Sequence, residues 1–408
     1  MKSVAIIGGG ASGMMAAICA ATNKCEVTIF EKNDRIGKKI LSTGNGKCNF
    51  TNAALASDKY YCDDEELLSK ALERFDNNDL ISFFQRLGML VKEKNGYYYP
   101  LSEQASTVLD ILRNELNNLN VNVLTNKEVI SIEKNITKFT LKTKDSKESF
   151  SFDKVIMSCG GKSGLSHNET NNSYDILKSF GHTIKPLLPA LTQIKCKADN
   201  VSFPALKGVR LDCVLSVYDE NNFITNASGE VLFTEYGLSG IVSFQLSHLI
   251  ALYAYCKKKV FIEIDFMPGV KEEDLENFFA SKKLLGNNCE IQNFMIGLLN
   301  KKLNIEILKY CDIKPSTEID KLTYKDYSRI MKAIKHFKVE CNGVNDFSSS
   351  QVTAGGIPLS ELDEKFQSKF IDGLYIIGEL TDVDGLCGGY NLQWAFTSGH
   401  IAGEDACS

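Results

Sequence analysis

Three glycines near the start of the chain, Gly8, Gly10 and Gly13, stand at G-x-G-x-x-G spacing, with Ala11 and Ser12 between the last two. An acid, Glu31, follows them. Residues of these types can hold a phosphate-bearing dinucleotide without a charged side chain. The first glycine lets the chain turn sharply, the second lets backbone approach a pyrophosphate, and the third lets a helix lie close to a sheet. The acid accepts hydrogen bonds from ribose hydroxyls and repels a 2′-phosphate. Glycines also serve ordinary turns, so the reading depends on the elements that position them. Val4-Ala5-Ile6-Ile7 is an apolar run suited to a buried parallel strand, and Met14 to Ala21 is a helix of small residues. Glu26 to Phe30 is a second strand that delivers Glu31. The helix start offers N–H groups and partial positive charge to phosphates. Strand, turn, helix, strand and acid come in the required order, and the stretch reads as a dinucleotide site.

Further residues suited to the same chemistry lie downstream. Residues 31–52, EKNDRIGKKILSTGNGKCNFTN, are basic and rich in glycine and asparagine, with little hydrophobic periodicity. Long loops are uncommon unless they are functional. Thr43-Gly44-Asn45-Gly46 presents backbone N–H groups, and Lys38, Lys39 and Lys47 add charge suited to phosphate. Gly160-Gly161, at the end of an apolar strand over Asp153 to Cys159, is a second place where backbone can crowd a ligand. Cys48 and Cys387 read as small buried thiols beside tight backbone, with redox activity or flavin attachment as the alternative. Tyr97-Tyr98-Tyr99 reads as half-buried strand, with an aromatic substrate wall as the alternative.

Composition bounds the answer. The length of 408 residues predicts two or three domains, and 44% hydrophobic with 24% charged residues is the balance of a soluble globular chain. The net charge of −5 shows no basic footprint, so no nucleic-acid partner is expected. The 13 cysteines are odd in number and contain no C-x-x-C pair, which predicts reduced thiols and a cytoplasmic protein. The five histidines have no metal-ligand spacing, and no metal is expected. Residues 241–256 form the most membrane-like run; with Gln245, Ser247 and His248 inside it, a buried helix is predicted and no membrane span.

The predicted elements divide the chain. Helices are expected over Asp63 to Phe75, Asp79 to Leu87, Ala105 to Leu119 and Tyr174 to Phe180, with a hairpin turning at Lys94-Asn95-Gly96. At Pro186–Pro189 the character changes to strands and turns, and from about Lys271 it becomes mostly helical. A buried strand at Leu374–Ile377 and a last helix over about Leu392 to Asp405 then return to the first sheet. The expected fold is α/β: a Rossmann-like nucleotide-binding domain (1–189 and 354–408) interrupted by a β-barrel-like domain (190–270, with a return through 338–353) and a small helical domain (271–337).

The ending distinguishes flavin from nicotinamide. Gly373 to Gly403 is a strand, a Gly-Glu pair, an acidic turn, a double glycine and a helix, and it resembles the C-terminal flavin motif of two-dinucleotide-fold flavoproteins. GGGASGMMAA, the 31–52 loop, VTAGGIPLSELD and DVDGLCGGYNLQWAFTSGHIAG together resemble one bacterial family of NAD(P)/FAD-dependent oxidoreductases, which includes aminoacetone oxidase and a bile-acid ene-reductase. The resemblance runs from end to end. It implies non-covalent FAD held by Gly8, Gly10, Ala11, Ser12, Gly13, Glu31 and Lys32, by Lys39, and by Thr43, Gly44, Asn45, Gly46, Lys47, Cys48 and Asn49. It also implies contacts from Gly160, Gly161, Gly378, Glu379, Asp384, Gly389, Tyr390, Asn391, Leu392 and Gln393, with Val129 meeting adenine through its backbone. By the same resemblance the start of the last helix meets the isoalloxazine ring.

Two departures from that family stand out. Lys47 occupies a position where many members have arginine, which keeps charge and loses bidentate contact. Residues 160–177 replace a more glycine-rich stretch, so any substrate contact from the 162–173 loop differs from relatives. No second G-x-G-x-x-G follows a strand, so no separate NAD(P)H domain is expected. The resemblance implies hydride transfer through the flavin on a small-molecule substrate, most like an amine oxidase of the aminoacetone-oxidase type. The alternatives are an ene-reductase with NAD(P)H as transient donor and, from another class, a non-catalytic flavin-binding protein. No catalytic residue is assigned, and the oligomeric state stays open.

Overall fold

The computed structural model describes residues 1–144, 148–164, 172–284 and 289–408. Most of the 162–173 loop singled out above lies outside the described residues. The described chain divides into two units, one of Met1–Leu188 with Val352–Ser408 and one of Pro189–Gln351.

In the first unit, β1 (Ser3–Ile7) leads through the glycine turn into α1 (Ala11–Thr22), and β2 (Glu26–Phe30) pairs parallel beside β1. β3 (Asn122–Leu124) extends the sheet beyond β2, while β4 (Lys154–Met157) pairs on the other side of β1. α2 (Ser173–Ser179) follows β4, and β5 (Leu374–Ile376) completes the order β5-β4-β1-β2-β3. The last element, α3, is Tyr390–Asp405, two residues earlier at its start than the sequence pattern predicts. Strands buried on both faces require apolar side chains throughout. Val4, Ile6, Ile29, Ile156 and Ile376 are fully buried, each removing a side chain from water for roughly 1.5–3 kcal/mol.

Chain order reverses at β1, since β2 and β3 lie to one side and β4 and β5 to the other. Such a reversal opens a crevice at the carboxyl ends of the strands. α1 and α3 pack against each other through small residues. A Cβ on Gly399 would stand 2.4 Å from the Ser12 carbonyl, and one on Gly403 would stand 2.5 Å from that of Ala16. Glycine at both positions on one face of α3 permits this approach.

The helices expected near the first unit's surface begin slightly away from their predicted starts, because side-chain caps set them. Asp64 caps Glu65–Arg74 by accepting from the Leu67 N–H, and Asp76 with Asp79 forms a capping box on Asn77–Arg86. The hairpin turns at Asn95 and Gly96, both with positive φ.

In the second unit a six-stranded antiparallel barrel closes in the order 194–197, 237–239, 222–233, 210–219, 260–265 and 337–344. Helix Ile241–Tyr255 buries Val242, Leu246 and Ile250 along one stripe. Among the described residues no helix is long and apolar enough to cross a membrane. The helices at Glu272–Leu284, Lys301–Tyr310 and Tyr324–Lys335 share one hydrophobic cluster with the barrel, joined through Phe266, Phe279, Tyr327 and Phe337.

One sequence expectation is corrected. Cys25 and Cys407 form a disulfide, so the thiols are not all reduced; the eleven other cysteines are free. The pairing joins the lead-in to β2 to the chain's C-terminal residues, a juxtaposition 382 residues apart in sequence that spacing alone does not reveal.

Candidate cofactor site

The glycine turn is shaped almost entirely by the protein around it. Gly8 has φ +104, and a Cβ there would meet the Ser158 carbonyl at 2.6 Å. A Cβ on Gly13 would lie 2.0 Å from the Gly8 carbonyl, so α1 can start this close only with glycine. Ser158, which sequence reasoning missed, donates through Oγ to the carbonyls of Ile7 and Gly8 at 2.9 and 2.8 Å and fastens the turn to β4. Gly10 differs. Its φ of −81 suits any residue, and a Cβ there would meet nothing within 4 Å. Open space on that side, with no packing reason for glycine, fits a turn that leaves room for a ligand.

Glu31 is buried at the end of β2. Its carboxylate accepts from the Gly9 N–H at 2.9 Å and from the Asn33 N–H and Nδ2 at 2.9 and 2.6 Å. A carboxylate accepts about four hydrogen bonds, so one position remains for a ribose hydroxyl. Lys32 is exposed beside it. Past a short helix at Lys38–Leu41, Thr43–Gly46 form a tight turn in which Gly44, Asn45 and Gly46 all have positive φ. Cys48 is buried beneath it, and burial pushes its thiol up to about 11, an inert packing group. Lys47 is directed elsewhere: its Nζ lies 2.9 Å from Glu103, which Lys92 also pairs.

At the opposite rim, Glu379 gathers residues from distant segments. Its Oε2 pairs with Lys39 Nζ at 2.5 Å, and its Oε1 accepts from Ser163 Oγ at 2.6 Å and the Thr353 N–H at 2.9 Å. Burial raises this carboxyl, but the Lys39 ammonium, with the donated hydrogen bonds, outweighs it and holds the group below its ordinary value. Thr353 Oγ1 in turn accepts from the N–H groups of Lys162 and Ser163. A Cβ on Gly161 would stand 2.4 Å from that oxygen, so Gly161 belongs to this network. Ser163 and Thr353 carry no motif signature of their own. The only available signal was the position of Thr353 inside VTAGG.

The acidic turn and α3 complete the group. Asp384 is buried and stands opposite Tyr61 in a short antiparallel strand pair; the Tyr61 phenol is raised by burial and then by the Asp384 charge. Gly389 has φ +96, and a Cβ there would crowd the Thr51 carbonyl at 2.7 Å and Asn49 Oδ1 at 2.8 Å. α3 begins on this bare glycine, as α1 begins on Gly10, and neither first turn has a side-chain cap or an acid. By contrast, Asp64, Asp76, Asn300 and Thr323 cap helices elsewhere. Two predicted side chains, and the backbone of a third residue, serve the protein itself. Gln393 accepts from Thr51 Oγ1 at 2.5 Å and donates to the Phe75 carbonyl at 3.2 Å. Asn391 clamps Gly385 through both its amide atoms, and the Tyr390 carbonyl accepts from Tyr60 at 2.9 Å. Leu392 is partly buried in that first turn. Val129 is buried at the start of Val129–Lys134, and its carbonyl accepts from Asn172 Nδ2 at 3.1 Å.

The residues present fit FAD. Gly10 leaves a cradle that a Cβ would fill, two uncapped helix starts supply N–H groups, and Asn49 Oδ1 is buried without a hydrogen-bond partner. A long dinucleotide with polar atoms along its length meets such scattered donors and acceptors.

Residues 2–405 match the family model described as the HI0933-like protein Rossmann domain. A 3-dehydro-bile acid delta(4,6)-reductase of Clostridium scindens is 36% identical over 409 residues, covering 100% of this chain and 99% of its own. A ribosomal RNA dihydrouridine synthase of Escherichia coli is 29% identical over 402 residues, covering 98% of this chain and 96% of its own. Among solved structures, a 3-ketosteroid-delta4-(5alpha)-dehydrogenase from Rhodococcus jostii RHA1 is similar in fold, with TM-score 0.50 and 13% identity, over 100% of this chain and 97% of that one.

Proposed function

The chain belongs to the HI0933-like family, and from that premise we propose that this FAD-dependent oxidoreductase reduces a carbon–carbon double bond conjugated to a carbonyl. The observation that carries the reading is the end-to-end likeness to a bile-acid delta(4,6)-reductase. A 3-oxo group conjugated with ring double bonds is an activated alkene. The second relative's product, dihydrouridine, is a uracil ring whose carbonyl-conjugated double bond has been saturated. Two unlike substrates thus share one reaction class. The amine-oxidase expectation has no such likeness behind it among these relatives, and the ene-reductase alternative becomes the preferred reading.

Bound FAD supplies reversible two-electron chemistry that no side chain provides. The overall reaction takes a hydride from NAD(P)H and a proton, and returns NAD(P)⁺ and a saturated bond. The chain's own residues do the holding. Gly10 and the α1 start would hold the diphosphate, Glu31 would take a ribose hydroxyl in its one remaining acceptor position, and the α3 start would meet the ring. Lys39 and Ser163 keep Glu379 ionised and fixed, so the rim beside Gly160-Gly161 does not shift with protonation near neutral pH.

The test is an anaerobic assay of the purified protein with NADH or NADPH and a 3-oxo-delta4 steroid or bile acid. The expected result is nicotinamide oxidation matched by loss of the enone absorbance. Flavin bleaching by small amines with no nicotinamide, followed by peroxide formation in air, would restore the oxidase reading instead. A second reading, reduction of uridine in RNA, rests on the Escherichia coli relative and is checked by dihydrouridine formation in a ribosomal RNA added to the same assay.

A further inference from the structure

Among the described residues of the first unit, Thr143 and Tyr174 each carry a buried hydroxyl with no hydrogen-bond partner, and Tyr174 is the one near the candidate site. The Tyr174 hydroxyl, on α2, is buried and unpartnered, on a residue only 4% exposed. Leaving such a group unmet is costly, and each case in a folded protein calls for an explanation.

Its neighbours are those of the cofactor cradle. Glu379 and Cys159 lie close enough to act on the phenol electrostatically, and Cys159 immediately precedes Gly160-Gly161. The Cys159 thiol reaches the Ile7 carbonyl at 3.2 Å, which places this corner at the carboxyl end of β1, where the sheet order reverses. On the other side, Asn172 ties the start of α2 to the Val129 carbonyl, at the strand expected beside adenine. Glu379 is not the missing acceptor, because the Tyr174 hydroxyl makes no hydrogen bond to it; the Glu379 oxygens meet Lys39, Ser163 and Thr353 instead. Burial raises the phenol, with Glu379 and Cys159 adding to the shift, so the group stays a neutral donor at working pH.

We propose that the Tyr174 hydroxyl donates a hydrogen bond to the diphosphate-bearing middle of bound FAD, the partner it lacks within the protein. A phosphate oxygen is charged, accepts readily from a neutral hydroxyl, and is the acceptor that the glycine cradle brings to the ends of β1 and β4. The assignment rests on the FAD reading and adds to it a contact from a helix outside the glycine motifs. It also gives the stretch after Gly160-Gly161 a role in cofactor retention, although that stretch departs from the family pattern.

The experiment compares Tyr174→Phe with the parent by titrating apoprotein with FAD and with ADP, and by thermal unfolding of both apoproteins. The expected result is a Kd about tenfold weaker for both ligands, the scale of one hydrogen bond to a charged group. The apoprotein midpoint should be unchanged or higher, because an unmet hydroxyl has been removed. Unchanged Kd values with a less stable apoprotein would overturn the proposal, since the hydroxyl would then serve the fold. A loss confined to FAD, with ADP unaffected, would also overturn it by moving the contact away from the diphosphate. Failure of the parent to retain FAD would sink the cofactor reading itself, a result distinct from any difference between the two proteins.

Discussion

The two ends of the chain supply the two halves of the site by different physical means. The N-terminal half, Gly8 to Gly13, is backbone: Gly8 and Gly13 are dictated by close approach, Gly10 borders open space, and the stretch offers N–H groups without side-chain charge. The C-terminal half, Gly378 to Gln393, is a network in which Glu379, Asn391 and Gln393 are committed to protein partners. The first half leaves open space at Gly10 and an uncapped helix start. The second shapes the site by holding its own loops and rim in place, so many of its polar side chains act at one remove. A residue can belong to a cofactor motif and still spend its side chain on protein partners.

Substitutions should separate the halves, beginning with the largest effect. Gly13→Val should cost on the order of 3 kcal/mol or more, because even a Cβ would overlap the Gly8 carbonyl and α1 must move. Chemical denaturation of the apoprotein measures this, and a near-parental midpoint would show that the helix approach is not tight. Gly10→Val should behave in the opposite way. With nothing within 4 Å of a Cβ, the apoprotein should keep its stability, while FAD retention on a desalting column is lost. If Gly10→Val keeps its flavin, the turn is not the diphosphate site.

The C-terminal half should show its commitment through pH. Glu379 is held below its ordinary value of 4.5, so its stabilising contribution is complete above that pH and is lost as pH falls below it. Asp382, three residues on, behaves with the opposite sign. Burial pushes it up to about 6, with Lys185 opposing and Asp63 and Asp384 adding, so stability declines as pH rises from 3.8 towards 6. Glu379→Gln should cost the apoprotein about 1–3 kcal/mol at neutral pH and flatten its acid limb. Asp382→Asn should remove the decline between 3.8 and 6. Thermal midpoints measured across that range check both, and parallel curves for parent and variants would contradict the assignment. The smallest effect belongs to Lys47→Gln. Because Lys47 is spent on an exposed pair with Glu103, FAD affinity should change by less than about twofold; a tenfold loss would restore its expected phosphate role.

How much of the site was legible follows the same division. β1, α1, β2 and the glycines at 8 and 13 were readable because steric demands on backbone translate into residue type. Helix starts shifted by a residue or two where Asp64 and Asp76 cap, since periodicity marks a face and not an end. Lys47 looked suited to phosphate because charge is visible in sequence and its partner is not. The Cys25–Cys407 pairing escaped a count of cysteines for the same reason.

By itself, then, the order of residues determined that a parallel sheet would carry a dinucleotide turn at its first strand, because a fully apolar strand, a glycine spacing and a small-residue helix permit few other packings. It also determined, through the C-terminal motif, that the last helix would return to that turn. Only the tertiary structure decided which polar side chains face inward to one another. Glu379 met Lys39, Ser163 and Thr353, Gln393 met Thr51, and Tyr174 was left with no protein partner. Hydrogen-bond partners are chosen by distances of about 3 Å between segments hundreds of residues apart, and no local pattern encodes them.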